Sequence, residues 1–105
     1  MKNHLLTEKQ IIKIRKGFNG AEQRAIFKIL ADANRYCIFQ ILSKYPKLTV
    51  SDIAKILEIS IPLASQHLKI LEQGGLLEKE KLGQKAYLKL RNDNRVGKSI
   101  IRAII

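Results

Sequence analysis

The stretch SIPLASQHLKILEQ, residues 60–73, spaces its hydrogen-bonding side chains on a helical repeat. Placing Ile61 at 0° and advancing 100° per residue puts Pro62, Ser65, Gln66, Lys69, Glu72 and Gln73 within about 20° to 140°. Leu63, Ala64, His67, Leu68, Ile70 and Leu71 fall between about 180° and 340°. One face is built to pack and the other to make contacts. An amide such as Gln66 can pair with both edge groups of adenine, a serine can serve a base edge or a phosphate, and a lysine can reach guanine or a phosphate. The candidate readers of a major groove are therefore Ser60, Pro62, Leu63, Ser65, Gln66 and Lys69. Leu63 has two readings, a thymine-methyl contact or packing, and its wheel position favours packing. His67 lies on the packing side, which favours a hydrogen-bonded, semi-buried histidine over a base reader.

A second group follows in EKEKLGQKAYLKL, residues 78–90, where Lys79, Lys81, Gln84 and Lys85 surround Gly83. Ammonium groups on such a tip can lie against phosphates or enter a narrow minor groove, whose potential is more negative. The plainer reading is a hairpin kept soluble by its lysines, since Glu78 and Glu80 alternate with them.

Local signals place these groups on definite elements. Thr7 and Gln10 have the spacing of a capping box that opens a first helix to about Lys16, before the Gly17 to Gly20 stretch. A second helix is predicted over Ala21 to Ala33, with Ile26, Ile29, Leu30 and Ala33 on one face. Asn34 is the candidate cap of a third, whose Ile38, Ile41, Leu42 and Tyr45 keep helical spacing until Pro46. Thr49 and Asp52 box the start of a helix about nine residues long, with Val50, Ile53, Ala54 and Leu57 as its apolar face. Ser60 caps the next helix, where Pro62 is tolerated because the first-turn N–H groups lack intrahelical partners. Gly74 and Gly75 are read as a left-handed helix exit. Leu76 to Lys81 and Ala86 to Leu90 are candidate strands, and Asp93 can cap a last helix carrying Val96, Ile100, Ile101 and Ile104.

Helix, turn, helix and hairpin in that order define the predicted fold class, a mainly α winged helix (α+β) in a single domain spanning 1–105. Residues 49–73 form its helix-turn-helix and residues 76–90 its wing. The end segments, 1–20 and 92–105, carry apolar stripes on helices that a small domain does not need to close its core. Ile11, Ile14 and Phe18 at one end, with Val96, Ile100 and Ile104 at the other, are thus read as a homodimer interface. Recruitment of both ends into the monomer core is the competing reading.

The chain has 105 residues with 20 Lys and Arg against 9 Asp and Glu, a net charge of +11. Such an excess favours a polyanionic partner, because basic side chains displace condensed counterions from phosphates. No apolar run approaches the roughly 18 residues of a membrane span, and the N-terminus lacks a signal-peptide core. A cytoplasmic location and no membrane partner are expected. Cys37 is the only cysteine. It allows no intrachain disulfide, and it reads as a small buried hydrophobe rather than a reactive thiol.

With these motifs in order, the run from Phe27 to Leu90 resembles the ArsR/SmtB family of winged-helix transcriptional repressors. Leu30-Ala31-Asp32-Ala33-Asn34-Arg35 is similar to the opening of that family's third helix. Ser60 to Leu71 is similar to its recognition helix, and Gly74-Gly75-Leu76-Leu77 with Gly83 and Tyr87 to its helix exit and wing. The resemblance implies a homodimer joined through its first and last helices on an imperfect palindromic operator in double-stranded DNA. The family's metal sites are where the sequence departs. Thr49 and Ser51 stand where metal-sensing members often carry a cysteine pair. Asn92, Asp93, Asn94 and Arg95 open a last helix without the family's histidine. No metal site and no cofactor are expected, and the small-molecule inducer, if one exists, is unspecified. A DNA-binding repressor is the leading reading, and a protein-interaction or RNA-binding winged helix the alternative. Enzymatic chemistry is not expected, since no nucleophile-base pair, paired carboxylate site or glycine-rich phosphate loop occurs.

Overall fold

The computed structural model describes residues 5–17 and 20–91. These form five helices and one antiparallel hairpin. The helices are α1 (Glu8–Gly17), α2 (Ala21–Leu30), α3 (Ala33–Lys44), α4 (Val50–Leu57) and α5 (Ile61–Gln73). The strands are β1 (Leu77–Leu82) and β2 (Lys85–Leu90). Two of the helix starts are capped as the sequence predicts, and reciprocally. Thr7 N–H donates to Gln10 Oε1 at 2.9 Å and Gln10 N–H to Thr7 Oγ1 at 3.2 Å. Thr49 N–H donates to Asp52 Oδ2 at 2.9 Å, and Asp52 N–H to Thr49 Oγ1 at 3.3 Å. Each box satisfies N–H groups that the helix itself leaves without partners.

The boundary between α2 and α3 differs from the expectation. The second helix stops at Leu30, and Asp32, not Asn34, caps the third by accepting from Arg35 N–H at 3.1 Å. Ala33 is then the exposed first residue of α3 rather than part of the α2 face. A carboxylate two residues upstream of Asn34 out-competes it because it sits at the corner where the backbone is extended, with φ −75° and ψ 131°. Tyr45 is the C-cap of α3 and is exposed, so the apolar spacing that included it overshoots by one turn.

The core lies where α3, α5 and the base of the hairpin meet. Ile38, Phe39, Leu42, Ile53, Leu68, Leu71, Leu76, Leu77 and Leu88 are all buried. Phe39, absent from the predicted stripe, is the largest fully buried side chain among the described residues. Its burial follows from the central position of α3, which contacts α2, α5 and β2 and so needs a wider apolar face than one stripe.

The helix exit uses one glycine in the left-handed region. Gly75 has φ +78°, while Gly74 remains right-handed at φ −78°. The hairpin turns on Gly83 at φ +64° with Gln84 beside it, a two-residue connection whose first central residue needs positive φ. Leu48 adds a bridge, accepting from Leu88 N–H at 2.8 Å, which ties the loop before α4 to the wing.

Candidate nucleic-acid interface

Ser60 caps α5 by accepting from Leu63 N–H at 3.2 Å, and Pro62 follows in the first turn. The wheel division along this helix is reproduced by its burial. Ala64, His67, Leu68 and Leu71 are buried, whereas Pro62, Ser65, Gln66, Lys69, Glu72 and Gln73 are exposed. Leu63 departs from the packing expectation. It is 37% exposed and does not join the core, because the chain entering α5 leaves the first turn uncovered on that flank.

The back of the helix is held by a polar cluster. His67 is 8% exposed, and its Nδ1 lies 3.3 Å from Arg35 Nη1 and 3.8 Å from Asp32 Oδ1. The side-chain amide of Asn34 is 3.5 Å from its Nε2. Arg35 also donates from Nε to the carbonyl of Ile29 in the last turn of α2, at 2.7 Å. Guanidinium nitrogens only donate, so the contact with Arg35 casts Nδ1 of the imidazole as an acceptor. One arginine thereby joins the end of α2, the start of α3 and the buried face of α5. Sequence reasoning placed His67 as a hydrogen-bonded inner residue but did not find its partners. An aspartate three residues before an arginine at a helix start was the available signal.

Two carboxylates at helix starts are held below their usual range. The backbone N–H of Arg35 does this to Asp32, opposed by partial burial and aided by the Arg35 charge. The backbone N–H and then the hydroxyl of Thr49 do it to Asp52, with smaller help from Lys55 and Lys85.

The wing residues Lys79, Lys81, Gln84 and Lys85 are all exposed, but they do not form one row. Directly opposed residues share a face of a hairpin. Lys79 opposite Leu88 and Lys81 opposite Ala86 extend the face that carries Leu77 and Leu90. Lys85, opposite Leu82, lies on the other face with Glu78 and Glu80. There it lines a cleft together with the first turn of α4 and Lys47, a second cation that the sequence did not single out.

Of the residues expected to form an interface between copies, Ile11 and Ile14 are 39% and 47% exposed, and α1 contains no buried residue. Phe18, Val96, Ile100 and Ile104, and with them the helix expected after Asp93, lie outside the described residues. Cys37 is free and half-buried, less enclosed than the small buried hydrophobe expected there. Among the described residues, no three His, Cys, Asp or Glu side chains converge as a metal site would require, and no helix is long and apolar enough to cross a membrane.

A capped helix-turn-helix followed at once by a two-stranded wing defines a winged helix-turn-helix protein. Residues 32–79 match the sequence profile described as bacterial regulatory protein, arsR family. The chain is 35% identical over 75 residues to the cadmium resistance transcriptional regulatory protein CadC of Listeria innocua, which covers 71% of this chain and 63% of the relative. It is 40% identical over 65 residues to the arsenical resistance operon repressor of Escherichia coli, covering 62% of this chain and 56% of that one. Reduced HlyU from Vibrio cholerae superposes with a TM-score of 0.73 at 27% identity, over 88% of this chain and 92% of that one. Across its helix-turn-helix and wing the chain is thus similar to ArsR-family transcriptional regulators. It spans less than two thirds of the length of either the cadmium or the arsenical resistance regulator.

Proposed function

We propose that this chain is a sequence-specific, double-stranded DNA-binding repressor that acts in the cytoplasm as a homodimer on an imperfect palindromic operator. The observation that carries the reading is the division of α5. Pro62, Ser65, Gln66 and Lys69 are exposed while the opposite face is buried and locked to α3 through His67. A helix held in this way is presented as a rigid body, which base reading requires. In this reading Gln66 addresses adenine, Ser65 a base edge or phosphate, and Lys69 guanine or phosphate. Lys79, Lys81, Gln84 and Lys85 hold the backbone. The two faces of the wing are reconciled if its tip runs edge-on into the groove, with lysines toward both of its walls.

Residues 1–105 act as one domain, and its assembly is through α1 with the C-terminal segment. The exposure of Ile11, Ile12 and Ile14 on a helix with no buried residue supports this. Isoleucine rows left in water favour association, since each fully buried side chain contributes about 1.5–3 kcal/mol.

The naming of CadC for cadmium resistance raises a metal as the signal here. The residues at the corresponding helix start do not fit one. Thr49 has its hydroxyl and N–H committed to the capping box, and Ser51 is an exposed hydroxyl. Soft metal ions select thiolates, and neither position supplies one. We therefore assign the signal to something other than a metal bound at the start of α4.

The test is selection from random duplexes followed by two substitutions. Gln66→Ala is expected to weaken the selected operator by about 1–3 kcal/mol with little change on unrelated DNA, because base contacts carry the sequence information. Lys85→Ala is expected to weaken both and to lower the salt slope by about 0.9, the signature of one lost phosphate contact. Equal loss on both duplexes for Gln66→Ala would remove α5 as the reader. Enrichment of no duplex would favour the RNA or protein-binding alternative.

A further inference from the structure

The exposed stripe of α5 changes character along its length. Its second and third turns offer Ser65, Gln66 and Lys69, but its first turn offers Ile61, Pro62 and Leu63. Ile61 is 51% exposed, and neither it nor Leu63 packs against the core. The hydrogen-bonding capacity of this turn is small. Pro62 has no N–H, and the hydroxyl oxygen of Ser60 is engaged by the N–H of Leu63. By helical angle, Ile61 stands one turn before Ser65 on the same ridge, so it shares whatever groove wall that ridge meets.

We propose that Ile61 is a specificity-determining residue that reads thymine through its C5-methyl group, with Leu63, on the far side of the same turn, as the control. The inference rests on the DNA-reading assignment above and deepens it. Apolar side chains distinguish thymine in the major groove because only its methyl offers them a surface. A bare apolar turn set on a surface of this charge has an evident occupant. The chain carries +11 and α5 itself presents Lys69 two turns on from Ile61, so a polyanion is the partner drawn to this surface. The N-terminal residues of a recognition helix reach deepest into the groove. At 1.5 Å of rise per residue, Ile61 and Gln66 are separated by about two base-pair steps. The half-site should therefore carry thymine under Ile61 and adenine about two steps along.

The experiment uses the operator selected with the full chain. Each thymine of one half-site is replaced by deoxyuridine, which removes the methyl and leaves every hydrogen-bonding group in place. Affinity is measured for the parent, Ile61→Ala and Leu63→Ala. Burial of one methyl corresponds to about fourfold, so one or two positions should each lose about fourfold with the parent. The same replacement should be silent with Ile61→Ala at the position this residue reads and keep its effect with the control Leu63→Ala. Both variants retain a good helix former at an exposed site, so folding is preserved. Indifference of the parent to deoxyuridine at every position would overturn the inference while leaving the DNA-reading assignment intact. So would a deoxyuridine loss that persists undiminished in Ile61→Ala. If no duplex is enriched at all, the DNA-reading assignment falls and this one falls with it.

Discussion

Removing the guanidinium of Arg35 should loosen the recognition helix without touching its exposed face. The side chain makes two bonds that no other residue replaces, from Nε to Ile29 O at 2.7 Å and from Nη1 to His67 Nδ1 at 3.3 Å. The first is short and charge-assisted, worth about 1.5–3 kcal/mol, and the second is longer and contributes about 1 kcal/mol or less. Both are part-buried, so water recovers some of the loss, and Arg35→Ala is expected to destabilise the fold by about 2–3 kcal/mol. In urea this is a midpoint shift of roughly 2 M for a domain of this size. Arg35→Lys keeps the charge but not the two-pronged geometry, and should lose about half as much. His67→Ala removes the second bond and a buried ring, for about 2–3 kcal/mol. The two substitutions share one contact, so the double variant should fall short of their sum by about 1 kcal/mol. Urea unfolding followed by circular dichroism, at one fixed protein concentration, measures all four corners of the cycle. A loss under about 0.5 kcal/mol for Arg35→Ala, or a coupling indistinguishable from zero, would refute the claim that this cluster fastens α5 to the α2–α3 corner.

Ile11→Asp with Ile14→Asp should convert the proposed dimer to monomer at tens of micromolar by placing unpaired carboxylates in an apolar contact, with helix content largely kept. Sedimentation of a parent protein that is already monomeric would remove the interface. Acid should weaken the fold. Asp32 and Asp52 titrate below the 3.8 of the unfolded chain, so between the folded and unfolded pKa values the unfolded state binds more protons. Their contribution is complete above about pH 4 and is lost as pH falls through the folded values. Asp52→Asn should flatten that part of the urea-midpoint profile, and an unchanged profile would show that its cap is energetically silent. Zinc, cadmium, arsenite or copper at stoichiometric levels should leave operator affinity within about threefold, under roughly 1 kcal/mol of coupling. A tenfold loss with one of them, reversed by a chelator, would place a metal site in the protein after all.

Much of the fold was legible because its signals are local. A capping box needs only Thr49 and Asp52 at the right spacing, and the division of α5 into a packed and an open face needs only helical periodicity. What tertiary structure decided are the places where two segments distant in sequence meet. Asp32 rather than Asn34 caps α3 because the chain leaving α2 is extended at that corner, which the Arg35 contacts to Ile29 and His67 hold in place. Phe39 is buried because α3 is surrounded on three sides, which a single-stripe reading cannot foresee. Glu58 adopts the left-handed conformation, φ 55°, in the turn between α4 and α5, where no glycine announced it. The packing of the two helices supplies what the residue's own preference does not. Leu63 and Ile61 stand exposed because, among the described residues, the first turn of α5 is left uncovered, a fact about neighbours and not about spacing. The wing lysines divide between two faces because strand register is set by pairing across the hairpin, and a period of two residues sends adjacent positions to opposite sides.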